Sequence, residues 1–103
     1  MISATVDLQH PDVAKLCREA GVQRLAAFGS VLRSDFDPEH SDLDFLVEFG
    51  DLPPPAYAQA YFTVKEGLER LFGRPVDLVS EAVLDNPHFR RRVESERRTV
   101  YAR

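Results

Sequence analysis

At 103 residues the chain is expected to form one domain across 1–103, with a single core near the lower size limit for independent folding. Hydrophobic residues make up 44% and charged residues 29%, the balance of a globular chain, and no run of about 18 apolar residues is available to span a membrane. A net charge of −4 argues against direct nucleic-acid binding as the main task. The opening MISATVDLQHPD lacks the basic-then-apolar layout of a signal peptide, and a lone cysteine, Cys17, forms no internal disulfide. The expectation is a cytoplasmic protein with Cys17 as buried packing. The charge is uneven: seven acids lie between Asp35 and Asp51, and six of the thirteen basic residues lie between Arg90 and Arg103. That asymmetry invites an anionic substrate or a partner.

In chain order, Met1 to Gln9 alternates weakly, as a frayed end or a short edge strand. Pro11 suits a first helical position, Val13, Leu16, Cys17 and Ala20 follow at helical spacing, and Gly21 stops the helix. Val22 to Phe28 reads as a strand. After Gly29-Ser30, Val31 to Arg33 reads as a brief helix and Asp35 to Ser41 as a polar loop. Leu43 to Phe49 is a second strand, and Asp51 to Pro55 a stiff proline connector. Tyr57, Tyr61, Val64, Leu68 and Leu71 mark a long helix closed by Gly73. Its tyrosines read as core residues, with stacking on a base as the functional alternative. Val76 to Val79 is a third strand and Glu81 to Leu84 a helical turn. Asn86-Pro87 caps a last helix whose inner face is Phe89, Val93 and Val100. Arg90, Arg91, Arg92, Arg97 and Arg98 on that helix read as a solvated face, or else as a dock for an acidic partner or RNA. This order predicts an α/β (α+β) fold: a small mixed sheet of three to four strands with helices packed mainly on one face.

The stretch FGSVLRSDFDPEHSDLDFLVEF concentrates the chemistry. Asp42 and Asp44 are two apart, so on a strand they project from one face while Leu43, Phe45, Val47 and Phe49 take the other. Two adjacent carboxylates repel unless a cation lies between them, and a hard ion with oxygen ligands such as Mg2+ removes that cost. Gly29 and Ser30, opening a helical turn, offer backbone N–H groups and a hydroxyl to phosphate oxygens. A phosphate cradle beside a carboxylate pair is the layout of metal-assisted phosphoryl or nucleotidyl transfer. Asp77, between Val76 and Leu78, is costly in an apolar strand unless it faces water or meets a cation. Arg33, one turn beyond Ser30, reads either as a phosphate contact or as an ordinary surface arginine.

These residues resemble the signature of the DNA polymerase β-like nucleotidyltransferases, and the short chain is most similar to the minimal nucleotidyltransferases of prokaryotes. The match runs through Gly29, Ser30, Asp42 and Asp44, with Asp77 as the third carboxylate. The spacer from Ser30 to Asp42 holds eleven residues, one more than the commonest form of the motif. The resemblance implies a palm-like core, ATP as donor and two Mg2+ ions shared among Asp42, Asp44 and Asp77, with Gly29, Ser30 and Arg33 on the nucleotide. It further implies an antitoxin of a type VII toxin–antitoxin pair, which transfers AMP to a tyrosine of a HEPN-type ribonuclease toxin. The alternatives are a non-catalytic antitoxin acting by occlusion, and a transferase for a small-molecule hydroxyl such as an aminoglycoside. A homo-oligomer could supply the missing wall in that last case.

Other candidates fall away on pattern. Asp35, Asp37 and Glu39 alternate like a calcium loop, but His40 and Leu46 stand where glycine and glutamate are needed. His10, His40 and His88 show no zinc spacing, and His40 is the only one near the motif.

Overall fold

A computed structural model describes residues 8–29, 42–80 and 85–103, the side chain of Glu96 excepted. The brief helix expected after Ser30, the polar loop, the turn at Glu81 to Leu84 and most of the N-terminal strand candidate lie outside the described residues. Within them the order is α1 (Pro11–Ala20), β1 (Val22–Phe28), β2 (Leu43–Phe49), α2 (Pro54–Phe72), β3 (Val76–Ser80), α3 (Pro87–Glu96) and β4 (Arg98–Ala102). The strands form one mixed sheet in the order β3-β2-β1-β4. β2 and β3, joined through α2, run parallel, and the other two pairings are antiparallel.

Alternation decides which face is which. Leu43, Phe45 and Val47 of β2, Leu25 and Ala27 of β1 and Val76 and Leu78 of β3 are all buried in one core. Val13 and Cys17 of α1 and Val64 and Leu68 of α2 cover it. Phe45 stacks on Phe72 at 6.2 Å, and Phe49 meets Tyr57 edge-on at 5.0 Å. The two helices cross closely at Gly67, where a Cβ would stand 2.7 Å from a Leu16 methyl. A smaller core of Phe28, Leu46 and Val93, with Val79 and Phe89 against it, occupies the opposite face under α3. Two helices on one face and one on the other fit the predicted layering.

Helix ends follow their local chemistry. His10 caps α1 through Nδ1, which accepts from the Asp12 N–H at 3.1 Å, and Gly21 closes it at φ 78°. The Asn86 side chain accepts from the N–H groups of His88 and Phe89 at 3.0 and 3.3 Å, so Asn86-Pro87 starts α3 as expected. Three expectations need correcting. Pro54 and Pro55 are the first turn of α2 rather than a connector, because first-turn residues have no N–H to donate within the helix anyway. Val100 is not on the last helix but on β4, and packs on the first core. Arg97 and Arg98 leave the helix with it: Arg97 is the C-cap of α3 and Arg98 begins β4. Thr99, Val100 and Tyr101 are β-branched or aromatic, and β1 offers them an open edge.

Burial pushes the Cys17 thiol up to about 12, which fits a packing role. Tyr61 donates to the Leu78 carbonyl and ties α2 to the edge strand β3. Glu69 makes a second tie, accepting from Lys65 Nζ at 2.9 Å and from the Val76 N–H at 3.1 Å. The lysine first, then the backbone N–H, holds the Glu69 carboxyl below its ordinary 4.5.

Tyr61→Phe should lower unfolding stability by about 1 kcal/mol at unchanged denaturant slope, as expected for one lost hydrogen bond. The depressed Glu69 group contributes stability above its unfolded-state pKa and loses it as pH falls through the folded value. The melting-temperature advantage of the native protein over Glu69→Gln should therefore shrink as pH is lowered through that range, and an advantage independent of pH would show that the carboxylate is not the cause.

Candidate active site

The parallel pairing of β2 and β3 begins where the Leu43 N–H donates to the Pro75 carbonyl at 3.2 Å. From there Leu43 pairs with Val76, and Asp44 with Asp77. Registered residues on neighbouring strands share a face, so burying Leu43 and Val76 sends both aspartates to the other side. Asp42, one step before β2, falls on the same side as Asp44. Strand spacing puts the α-carbons of Asp44 and Asp77 about 4.8 Å apart, and those of Asp42 and Asp44 about 6.6 Å apart. Asp42 and Asp77 are exposed and Asp44 is half-buried.

Gly29 ends β1 beside this group. Phe28 pairs with Asp44 in the antiparallel register, and Gly29 follows at φ 78°, in the left-handed region. A Cβ at Gly29 would stand 2.6 Å from Asp44 Oδ2 and 3.4 Å from its Cγ. Conformation therefore favours glycine here, and any side chain at the position must displace the Asp44 carboxylate. The sequence-predicted Gly29, Asp42, Asp44 and Asp77 thus gather at one end of the sheet, on one face. Ser30, Arg33 and His40 lie outside the described residues.

The donor set is three carboxylates, the hard oxygen ligands that Mg2+ takes. Among the described residues no three His, Cys, Asp or Glu side chains stand close enough to hold a metal ion. Like charges favour such spreading, and two of the three carboxylates are exposed, so convergence takes only side-chain rotation. The backbone spacing fits one or two shared ions.

Two features escaped the sequence reading. The inner face of α3 was legible, but not that it lies over the carboxylate side of the sheet, where Phe89 meets Phe28 edge-on at 5.9 Å. Conversely Tyr57 and Tyr61 belong with the core on the far side, so the base-stacking alternative falls away. The periodicity of a helix shows which of its faces is apolar, not which face of a sheet it will cover.

A mixed sheet with a β-α-β unit, carrying carboxylates at its rim beside a glycine turn, has the fold of a nucleotidyltransferase domain. The chain belongs to that family: the nucleotidyltransferase domain family matches residues 13–100. It is 33% identical over 75 residues to "Putative protein adenylyltransferase MJ1379" of Methanocaldococcus jannaschii, covering 73% of each chain. It is 38% identical over 64 residues to protein adenylyltransferase MntA of Thermococcus cleftensis, covering 62% of this chain and 61% of that one. Among solved structures, a complex of a tri-AMPylated Shewanella oneidensis HEPN toxin with its MNT antitoxin shares the fold, with a TM-score of 0.62 and 21% identity over 93% of this chain and 71% of that one. The protein is a nucleotidyltransferase with the small α+β core anticipated from the element order.

Gly29→Ala should cost roughly 1–2 kcal/mol through its left-handed backbone, whereas Gly29→Asn, which tolerates that conformation, should cost less. Both add a Cβ against Asp44, so both should move the Asp44 carboxyl carbon resonance. An unmoved resonance in both variants would show that the glycine and the carboxylate do not meet.

Proposed function

We propose that the chain transfers AMP from ATP to a hydroxyl group in a Mg2+-dependent reaction, and that the acceptor is a tyrosine of a HEPN-type ribonuclease toxin, which makes this protein the antitoxin of the pair. The observation that carries the reading is the register of Asp44 beside Asp77, with Gly29 held against Asp44. The names of the two adenylyltransferase relatives support adenylyl transfer to protein, and the fold shared with the antitoxin of a HEPN complex supports the partner.

In this reading Asp42, Asp44 and Asp77 would hold the Mg2+ that accompanies the triphosphate. Bound Mg2+ would neutralise phosphate charge and make the acceptor hydroxyl easier to deprotonate. Asp77, on the outer strand, aligns that hydroxyl for in-line attack at the α-phosphorus, which displaces pyrophosphate and releases the hydroxyl proton. The N–H groups at Gly29 and Ser30, with Arg33, orient the β- and γ-phosphates. Their contribution is positioning and charge stabilisation.

In the alternative reading the protein silences its partner by occlusion, without catalysis. One experiment separates the two. The protein, its genome-neighbour partner and α-labelled ATP are incubated with Mg2+, or with a chelator. Label should reach the partner only with Mg2+. Asp42→Asn, Asp44→Asn or Asp77→Asn should each lower transfer by at least about 100-fold, a loss of roughly 2.7 kcal/mol in transition-state stabilisation. Their melting temperatures should be equal or higher, because like charge has been removed. Neutralisation of the partner at equal dose by an Asp42→Asn, Asp44→Asn double variant would favour occlusion.

A further inference from the structure

Arg97 occupies a position on the sheet that the sequence does not reveal. Ala27 pairs with Arg98, and Ala27 belongs to the core beneath α1 and α2, so Arg98 shares that face. Arg97 precedes it in extended conformation, at φ −78° and ψ 148°, and so falls on the opposite face with Phe28. Phe28 pairs with Asp44, and Asp44 with Asp77. One row across the four strands therefore reads Asp77, Asp44, Phe28, Arg97, with Arg97 one step beyond the last registered pair of β1 and β4.

Two strand spacings place the Arg97 α-carbon about 10 Å from that of Asp44, on the far side of the Gly29 turn from Asp77. Its backbone is pinned, since the Arg97 N–H donates to the Val93 carbonyl at 2.8 Å, and the residue is half-buried. Its guanidinium is engaged by no carboxylate among the described residues. Arg24, the other arginine that register places on this face, lies at the far end of the sheet with Nε 3.5 Å from Glu48 Oε2. Three carboxylates and a polyphosphate at one rim accumulate negative charge, and among the described residues Arg97 is the arginine that register carries to the carboxylate face at that end.

We infer that Arg97 contacts the phosphate tail of the nucleotide, from the side of the glycine turn opposite Asp77. The inference rests on the nucleotidyl-transfer reading above. An arginine here binds two phosphate oxygens at once, which a point charge does not match. A merely structural Arg97, favourable at the C-terminal end of α3, would affect folding without distinguishing one nucleotide from another.

The test is calorimetric binding of ATP, AMP and adenosine, each with Mg2+, to the native protein, Arg97→Ala and Arg97→Lys, after thermal melts confirm folding. Arg97→Ala should weaken ATP by about tenfold or more, the size of a charged hydrogen bond, and leave AMP and adenosine within about twofold. Arg97→Lys, which retains the charge at the helix end, should fall between, and it carries the test if Arg97→Ala does not fold. Unchanged ATP affinity in the variants, or equal weakening of all three ligands, overturns the role of Arg97 while leaving the transferase reading in place. A native protein that binds no ATP would defeat that reading, and this inference with it.

Discussion

The register between β2 and β3 is the constraint on which the site depends. Each strand has one face packed under α1 and α2, and side chains alternate with a period of two. A slip of one residue would drive Asp44 into the space now filled by Leu43 and Phe45, at the cost of burying a charge in an apolar core. The alignment of Asp44 with Asp77 is therefore enforced by Leu43, Phe45, Val76 and Leu78, none of which has a chemical role. Tyr61 and Glu69 of α2 add polar ties to β3 at the Leu78 carbonyl and the Val76 N–H. The helix that connects the two strands thus also holds them in register.

The opposite face is handled differently. It cannot be left wholly open, because Phe28 and Leu46 are apolar, and it cannot be wholly covered, because the carboxylates need water or a ligand. α3 resolves this by covering Phe28 and Leu46, with Val79 beside them and Val93 and Phe89 as its contacts. The side chain of Phe28 lies under the helix while its backbone leads directly into Gly29. Any force that displaces α3 acts on the glycine turn through one residue. The carboxylate rim and the minor core are neighbours by construction.

Elements with strong local signals were legible in the sequence. The α1 stop at Gly21, the bounds of β1 and β2, and the Asn86-Pro87 start of α3 all follow from capping, proline placement and alternation. The common face of the two carboxylates was legible for the same reason: Asp44 stands on β2 and Asp42 one step before it, where alternation assigns a face without coordinates. β4 was not legible, because its apolar residues Val100 and Tyr101 are spaced so that they also continue a helix from Phe89 and Val93. The open edge of β1 decides for the strand, and an edge is a tertiary fact. The position of Arg97 was hidden with it, since an arginine read as one of five on a helix acquires a defined face only once the chain is extended.

An open rim also bears on how an acceptor reaches the site. Asp77 is exposed on β3, which among the described residues is the last strand of the sheet on that side. One side of the row is bounded by Gly29 and Phe28, whereas the Asp77 side borders an edge whose backbone groups point outward. Under the transferase reading, an acceptor hydroxyl delivered there meets Asp77 first, at the position furthest from the glycine turn. Orientation accounts for much of the barrier reduction in group transfer. A protein acceptor brings its own surface and supplies the missing constraint. Under the transferase reading, an acceptor held on a protein surface suits such an edge.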